Sequence, residues 1–252
     1  YEIKECDWSS DVCSSDLYLE KCRVILNMVD AAETNLAEEK AIPRGRIRLG
    51  LPLSYGLHAL MPELLDFAQE HPFTELVMDL SDQRANLIEE GLDLAIRIAA
   101  KLQPGDIARK LGECHLLTLA SPGYLSKRGE PNHPGDLQNH ECLVYANDTA
   151  LTTWTYRENG EHLAVQVRGR IVANNGVALL EAAVRGLGIV CQPDFIAAPY
   201  MGGGRLCQVL KDFEIAPLGI YAILPSNRYI PHRVSLLIAH LEQKIRSPQG
   251  LL

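Results

Sequence analysis

No run of apolar residues in this 252-residue chain approaches the ~20 that a membrane-spanning helix requires, which excludes a helical span. The opening Tyr-Glu-Ile-Lys-Glu-Cys lacks the basic-then-apolar order of a secretory signal, so a cytoplasmic location is expected. The 7 cysteines are odd in number and no two are spaced C-x-x-C. A disulfide framework or zinc site is therefore not expected, and the cysteines read as reduced, buried thiols. Basic residues are outnumbered 24 to 32 by acidic ones, and the net charge of −8 argues against a dominant nucleic-acid surface.

Catalytic signatures are also missing. Pro52-Leu-Ser54-Tyr-Gly56 has Pro where a nucleophile elbow needs its first Gly. Gly186-Leu-Gly188-Ile-Val-Cys191 lacks the last Gly of a dinucleotide fingerprint and closes a helix instead of opening one. There is no phosphate loop, and His140-Glu141-Cys142 lacks the second histidine of a metalloprotease helix. No enzyme, cofactor or metal is expected on these grounds.

What is present is a strand-to-helix junction, Gly45-Arg-Ile-Arg-Leu-Gly-Leu-Pro-Leu-Ser-Tyr-Gly56. Strand ends that feed helix starts are where open α/β sheets bind small ligands, because unpaired N–H groups there favour an anion or carbonyl. Gly169-Arg-Ile-Val-Ala-Asn-Asn-Gly176 repeats the arrangement in the second half, which points to a cleft between two lobes. Residues 1–17 have low complexity and no period, and are expected to be foreign to the fold or a disordered terminus. Cys22, Ile25, Val29, Ala32 and Leu36 then follow a 3-4-3-4 spacing, the seam of a short coiled coil or the inner face of a single amphipathic helix, which Pro43 stops.

Alternation predicts strands at 46–52, 74–80 and 93–98, with a helix over 57–70 whose inner face is Leu57, Leu60, Met61, Leu64, Leu65 and Ala68. A second helix is predicted from the Ser81-Asp82 cap to Gly91, giving β-α-β-α-β and a parallel sheet. One strand is predicted at 109–120, and others at 142–146, 153–157 and 163–172, with a hairpin turn at Glu158-Asn-Gly160. A helix over 176–185, strands at 188–191 and 206–210 with a short helix at 194–200 between them, a strand at 218–224 and a helix at 231–246 complete the chain. The pattern predicts departure from the first lobe near 120 and return near 216 by two hinge strands.

Candidate site residues lie at these ends. Ser54 is an N-cap or a ligand contact, and Ser81 and Asp82 read first as caps. Arg97 ends an apolar strand, where it either pairs with Asp93 or Glu90 or holds a carboxylate in its fork. Asn174 and Asn175 precede the second-lobe helix, and Gln192 follows a buried strand.

Taken in order, Gly45-Arg-Ile-Arg-Leu, Pro52-x-Ser-x-Gly56, Leu80-Ser-Asp82, Leu92-Asp-Leu-Ala-Ile-Arg-Ile98, Ala120-Ser-Pro-Gly-Tyr-Leu125, Gly186-Leu-Gly-Ile189, Gly204-Arg-Leu206 and Ile220-Tyr-Ala-Ile-Leu-Pro225 resemble LysR-type transcriptional regulators over about 18–246. One departure is Ala99-Ala100, where this branch often carries Gly. The resemblance implies two Rossmann-like lobes joined by two hinge strands, an α/β fold like type 2 periplasmic binding proteins, preceded by a linker helix. It places a linker and dimerisation helix at 18–43, lobe I at 44–120 plus 217–246, and lobe II at 121–216. It implies an effector pocket of Ser54, Ser81, Arg97, Asn174, Asn175 and Gln192 for a small organic acid. It further implies a homodimer or homotetramer, and promoter DNA contacted only through an N-terminal helix-turn-helix that these residues do not include. The alternative is a free solute-binding module of a transporter.

Overall fold

Gly45–Leu51 forms β1, and its inward residues Ile47, Leu49 and Leu51 are buried. The computed structural model describes residues 22, 42–83, 86–145, 152–225 and 230–246. Of the expected segments, 1–17 and nearly all of the 18–43 helix lie outside the described residues.

Pro52 is extended and caps a helical run of three parts: α1 (Leu53–Tyr55), a π-helical segment (Gly56–Leu60) and α2 (Met61–Glu70). The run starts four residues before the predicted position. The wide π turn also rotates the inner face: Leu60, Leu64 and Phe67 are buried, while Leu57 and Leu65 point outward at about half exposure. β2 (Thr74–Leu80) and β3 (Leu94–Ala99) both pair parallel with β1. Between them the predicted second helix is replaced, over 87–91, by a single turn. It closes through Leu92 N–H to the Leu87 carbonyl at 2.8 Å and Gly91 N–H to that of Ile88 at 3.2 Å.

The strand predicted over 109–120 is two strands, β4 (Ile107–Cys114) and β5 (Leu116–Ala120). β4 belongs to the first sheet and β5 to the second, so the chain passes between them at His115. It returns between β12 (Glu214–Ile215) and β13 (Leu218–Leu224), and Leu218 pairs with Cys114. The first sheet has the order β2-β1-β3-β13-β4. α6 (His232–Arg246) covers it beside α2 and buries Val234, Leu237 and Leu241.

The second sheet runs β11-β5-β10-β6-β9, with β6 Cys142–Tyr145, β9 Ile171–Ala173, β10 Ile189–Pro193 and β11 Cys207–Gln208. α3 (Pro122–Arg128), which the sequence pattern did not suggest, is capped by Ser121, and a 3-10 turn occupies Pro134–Asn139. α4 (Gly176–Val184) and α5 (Asp194–Gly202) follow β9 and β10. β7 (Thr152–Glu158) and β8 (Glu161–Val167) form the predicted hairpin, with Asn159 and Gly160 both at positive φ, and join β12 in a third sheet. The strand predicted over 163–172 breaks between β8 and β9 because the chain crosses the Cys142 carbonyl there. A Cβ on Gly169 would lie 1.5 Å from that oxygen.

One core runs through both five-stranded sheets, from Leu49 and Leu94 to Leu143 and Val190. A second joins the hairpin to lobe II through Trp154, Tyr156 and Ile189. A smaller one, with Leu87, Leu92, Ala95 and Ile223, lies on the other face of the first sheet.

Candidate functional site: the cleft between the two sheets

The carboxyl ends of β1 and β2 face those of β6, β9 and β10. At this meeting Asn175 Nδ2 donates to Ser54 Oγ at 3.5 Å, a long bond that joins the lobes. Asn175 is the N-cap of α4, and its side-chain oxygen accepts from the Ala178 N–H at 3.1 Å. The Gly176 and Val177 N–H groups lie ahead of the helix's own ladder, at its positive end.

Gln192 is 2 % exposed, and its side-chain amide has no hydrogen-bond partner among the described residues. The amide is not among the fully enclosed unsatisfied groups, so the little exposure Gln192 has reaches it and leaves it open to a ligand. The amide lies against the start of α4: a Cβ on Gly176 would sit 2.4 Å from Gln192 Oε1 and 2.6 Å from Ile196 Cδ1. Glycine is required at 176 for α4 to approach β10 and α5 this closely.

Asp82 does not start the predicted second helix. Its Oδ1 accepts from the Leu53 N–H at 2.9 Å, across 29 residues, and so caps α1. Ser54 is thereby released from capping. Ser81 Oγ accepts from the Gln83 N–H at 3.1 Å in a local turn. Tyr145, at the end of β6, was not among the predicted residues. Burial pushes its hydroxyl up to about 12, and the Asp82 carboxylate on the other lobe adds to the rise. Tyr145 therefore stays a proton donor facing the cleft. Its local signal was slight: one polar end on the buried run Cys-Leu-Val-Tyr.

The two lobes are tied where the chain crosses. The Asp194 N–H donates to the His115 carbonyl at 2.8 Å, and the His115 N–H donates to Asp194 Oδ2 at 3.3 Å. Tyr55 of α1 meets Phe195 of α5 edge to face at 4.8 Å between centroids. Desolvation raises the Tyr55 hydroxyl well above its usual range, with Cys114 and Asp194 adding to it.

Of the predicted residues, the structure brings together Ser54, Asn175 and Gln192. Asn174 is exposed beside them and Ser81 stands at the rim. Arg97 is elsewhere. Side chains alternate along β3, so Arg97 shares the face of Ala95, away from Leu94 and Ile96. There it pairs with Asp106 at 3.4 Å, not with Asp93 or Glu90, and lines a depression of about 400 Å³ with Leu87, Ile107 and Pro225. Asp93 instead accepts from the Arg48 N–H at 2.8 Å.

Among the described residues no group of His, Cys, Asp and Glu side chains is placed to hold a metal, and no helix is long and apolar enough to cross a membrane.

The LysR substrate binding domain family matches residues 40–246. An uncharacterized HTH-type transcriptional regulator of Haemophilus influenzae is 30% identical over 219 residues, which are 87% of this chain and 76% of that protein. The regulator PtxR of Pseudomonas aeruginosa is 30% identical over 221 residues, 88% of this chain and 71% of that one. Among solved structures, the full-length virulence activator AphB of Vibrio cholerae superposes with a TM-score of 0.71 at 27% identity, covering 92% of this chain and 79% of that one. The regulatory domain of CrgA from Neisseria meningitidis gives 0.70 at 26% identity, covering 81% and 100%. These relatives are transcriptional regulators rather than enzymes, and the solute-binding module of a transporter finds no support among them. The chain belongs to the LysR family of transcriptional regulators, and residues 40–246 are its substrate-binding domain, the part that senses an effector to control transcription.

Proposed function

We propose that the effector is a small organic acid, held in the cleft by Ser54, Asn175 and Gln192 with Tyr145 opposite. The meeting of Asn175 with Ser54 across the lobes, with the Gln192 amide against the start of α4, carries this reading. A carboxylate there meets free N–H groups, the positive helix end and the Tyr145 hydroxyl. The N-terminus of α1 is already satisfied by Asp82, so the second lobe supplies the anion contacts and the first supplies Ser54. Ser81 and Asn174 border the same opening. Arg97 is not the carboxylate fork, since Asp106 engages it on the other face of the sheet.

Lobe I is read as 44–114 with 217–246, and lobe II as 116–215. A ligand bridging them favours one lobe arrangement by its differential affinity for the two. Regulators of this family oligomerise and bind promoter DNA through an N-terminal domain. For this chain we extend that to a cytoplasmic homodimer or homotetramer. Sedimentation of Ile25→Glu, Val29→Glu and Leu65→Glu tests it: at least one must shift toward monomer, and a monomeric parent at micromolar concentration rejects it.

The acid itself is found by a thermal-shift screen of metabolites. At about 100 times its dissociation constant a ligand stabilises by ~2.7 kcal/mol, or roughly 5–10 °C at ~2–4 °C per kcal/mol. Acids should act on the parent and lose effect in Ser54→Ala. Equal shifts in both, or shifts only with neutral or cationic compounds, reject the assignment.

A further inference from the structure

The cleft leaves one charged depression unexplained. It lies on lobe II at the other end of α4, about 13 Å from Asn175 for a 9-residue helix. It encloses about 340 Å³, and its rim carries Lys127, Arg185 and Arg205 around Ser121, Gly123 and Gly186. We propose that it binds the phosphate group of a small molecule, at a site separate from the effector cleft.

Three cations converge on one hollow in a chain of net charge −8. Lys127 is in the last turn of α3 and Arg185 is the C-cap of α4. A helix C-terminus accounts for a cation at each end. It does not account for both reaching the same hollow, where like charges repel until an anion joins them. Neither has an acidic partner among the described residues. Arg205 is held in place: its guanidinium stacks 4.3 Å over the Tyr200 ring and lies 4.0 Å from Glu181 Oε1. That carboxylate oxygen already accepts from the Tyr200 hydroxyl at 3.0 Å, which positions Arg205 without closing the hollow.

The floor supplies a hydroxyl. Ser121 is 4% exposed, and its Oγ accepts from the Tyr124 N–H at 3.3 Å. Its own O–H is left to donate into the depression. A buried hydroxyl donor below three cations suits a tetrahedral dianion, which accepts several charge-assisted bonds at once. The volume, at the lower end of the range for ligand pockets, leaves room for a small carbon skeleton on the phosphate.

Equilibrium dialysis of the full chain against labelled inorganic phosphate at constant ionic strength tests this. One saturable phosphate per chain is expected, with a dissociation constant of about 1 mM, and glycerol 3-phosphate should compete. Lys127→Ala and Arg185→Ala should each weaken binding about tenfold, ~1.4 kcal/mol. Arg185→Lys should cost less than about threefold. Lys127 and Arg185 are both exposed, so the thermal midpoints of these variants should match the parent's. No saturable binding below about 50 mM, or binding equal in parent and variants, overturns the proposal. So does failure of the ester to compete. Tighter binding of a 20-base-pair duplex with the same variant dependence would assign the face to nucleic acid instead, and equally overturn it.

Discussion

Adding one methyl group at Gly176 tests the packing that builds the cleft. In Gly176→Ala the new Cβ would fall 2.4 Å from Gln192 Oε1, 2.6 Å from Ile196 Cδ1 and 3.2 Å from Gln192 Cδ. Gln192 and Ile196 are 2 % and 3 % exposed, so neither can swing into solvent. Overpacking of this kind costs ~1–3 kcal/mol. Against it stands the helix propensity of Ala over Gly, at most ~1 kcal/mol in a helix interior and less at the first position of α4. The net expectation is a loss of about 1–2 kcal/mol, or a fall in midpoint of roughly 2–8 °C. Urea and thermal unfolding measure it. Placing the change in a Gln192→Ala background should recover about 1 kcal/mol, since one of the two clash partners is gone while Ile196 remains, and the cycle isolates that term. An unchanged or raised midpoint for Gly176→Ala alone would refute the close approach of α4 to β10.

Other outcomes follow from the same structure. Phe67→Ala empties a site with 0 % exposure between His71 and His240 and should cost ~3–5 kcal/mol in urea unfolding. Arg97→Leu, which removes the guanidinium from Asp106 while the Gln103 N–H still donates to that carboxylate, should lower stability by ~1 kcal/mol yet leave acid binding within about twofold by calorimetry. Burial pushes the Cys114 and Cys142 thiols from an ordinary 9 up to about 12. Their contribution to stability is therefore complete below pH 9. It declines as pH rises toward 12, where only the unfolded chain ionises, so unfolding free energy should fall across that window and less so in Cys114→Ala. At pH 8 both thiols should resist a thiol-specific disulfide reagent until the chain unfolds.

Local patterns reached the strands and most helices, because a period of 2 or 3.6 needs no distant partner. Thr74–Leu80, Leu218–Leu224 and the Asn159-Gly160 hairpin stand where alternation and turn chemistry put them. The failures share a cause in distance. The cap of α1 comes from Asp82, 29 residues on, so nothing near Leu53 announces the helix start. The π segment shifts the inner face to Phe67, a change of phase that a fixed 100° rotation cannot anticipate. His115 interrupts no apolar pattern, yet Asp194 holds it from 79 residues away as the chain changes sheets. For the site, Asn175 and Gln192 were legible as polar residues at strand ends. Arg97 was legible as a cation ending an apolar strand, but its partner depended on which face of β3 it takes. Tyr145 became visible only when β6 was set opposite Asp82.

Asn175 and its neighbours are proposed to receive an acid. Calorimetric titration of the acid identified by screening, against the parent and Asn175→Asp, decides it. Asp caps a helix as well as Asn, so α4 and the midpoint should be preserved. A second carboxylate about 4 Å from the ligand's adds ~4 kcal/mol of repulsion at an effective dielectric of 20. The prediction is a loss of affinity of at least about tenfold in Asn175→Asp at unchanged stability. Equal affinity in the two proteins would contradict the placement of the acid at the start of α4.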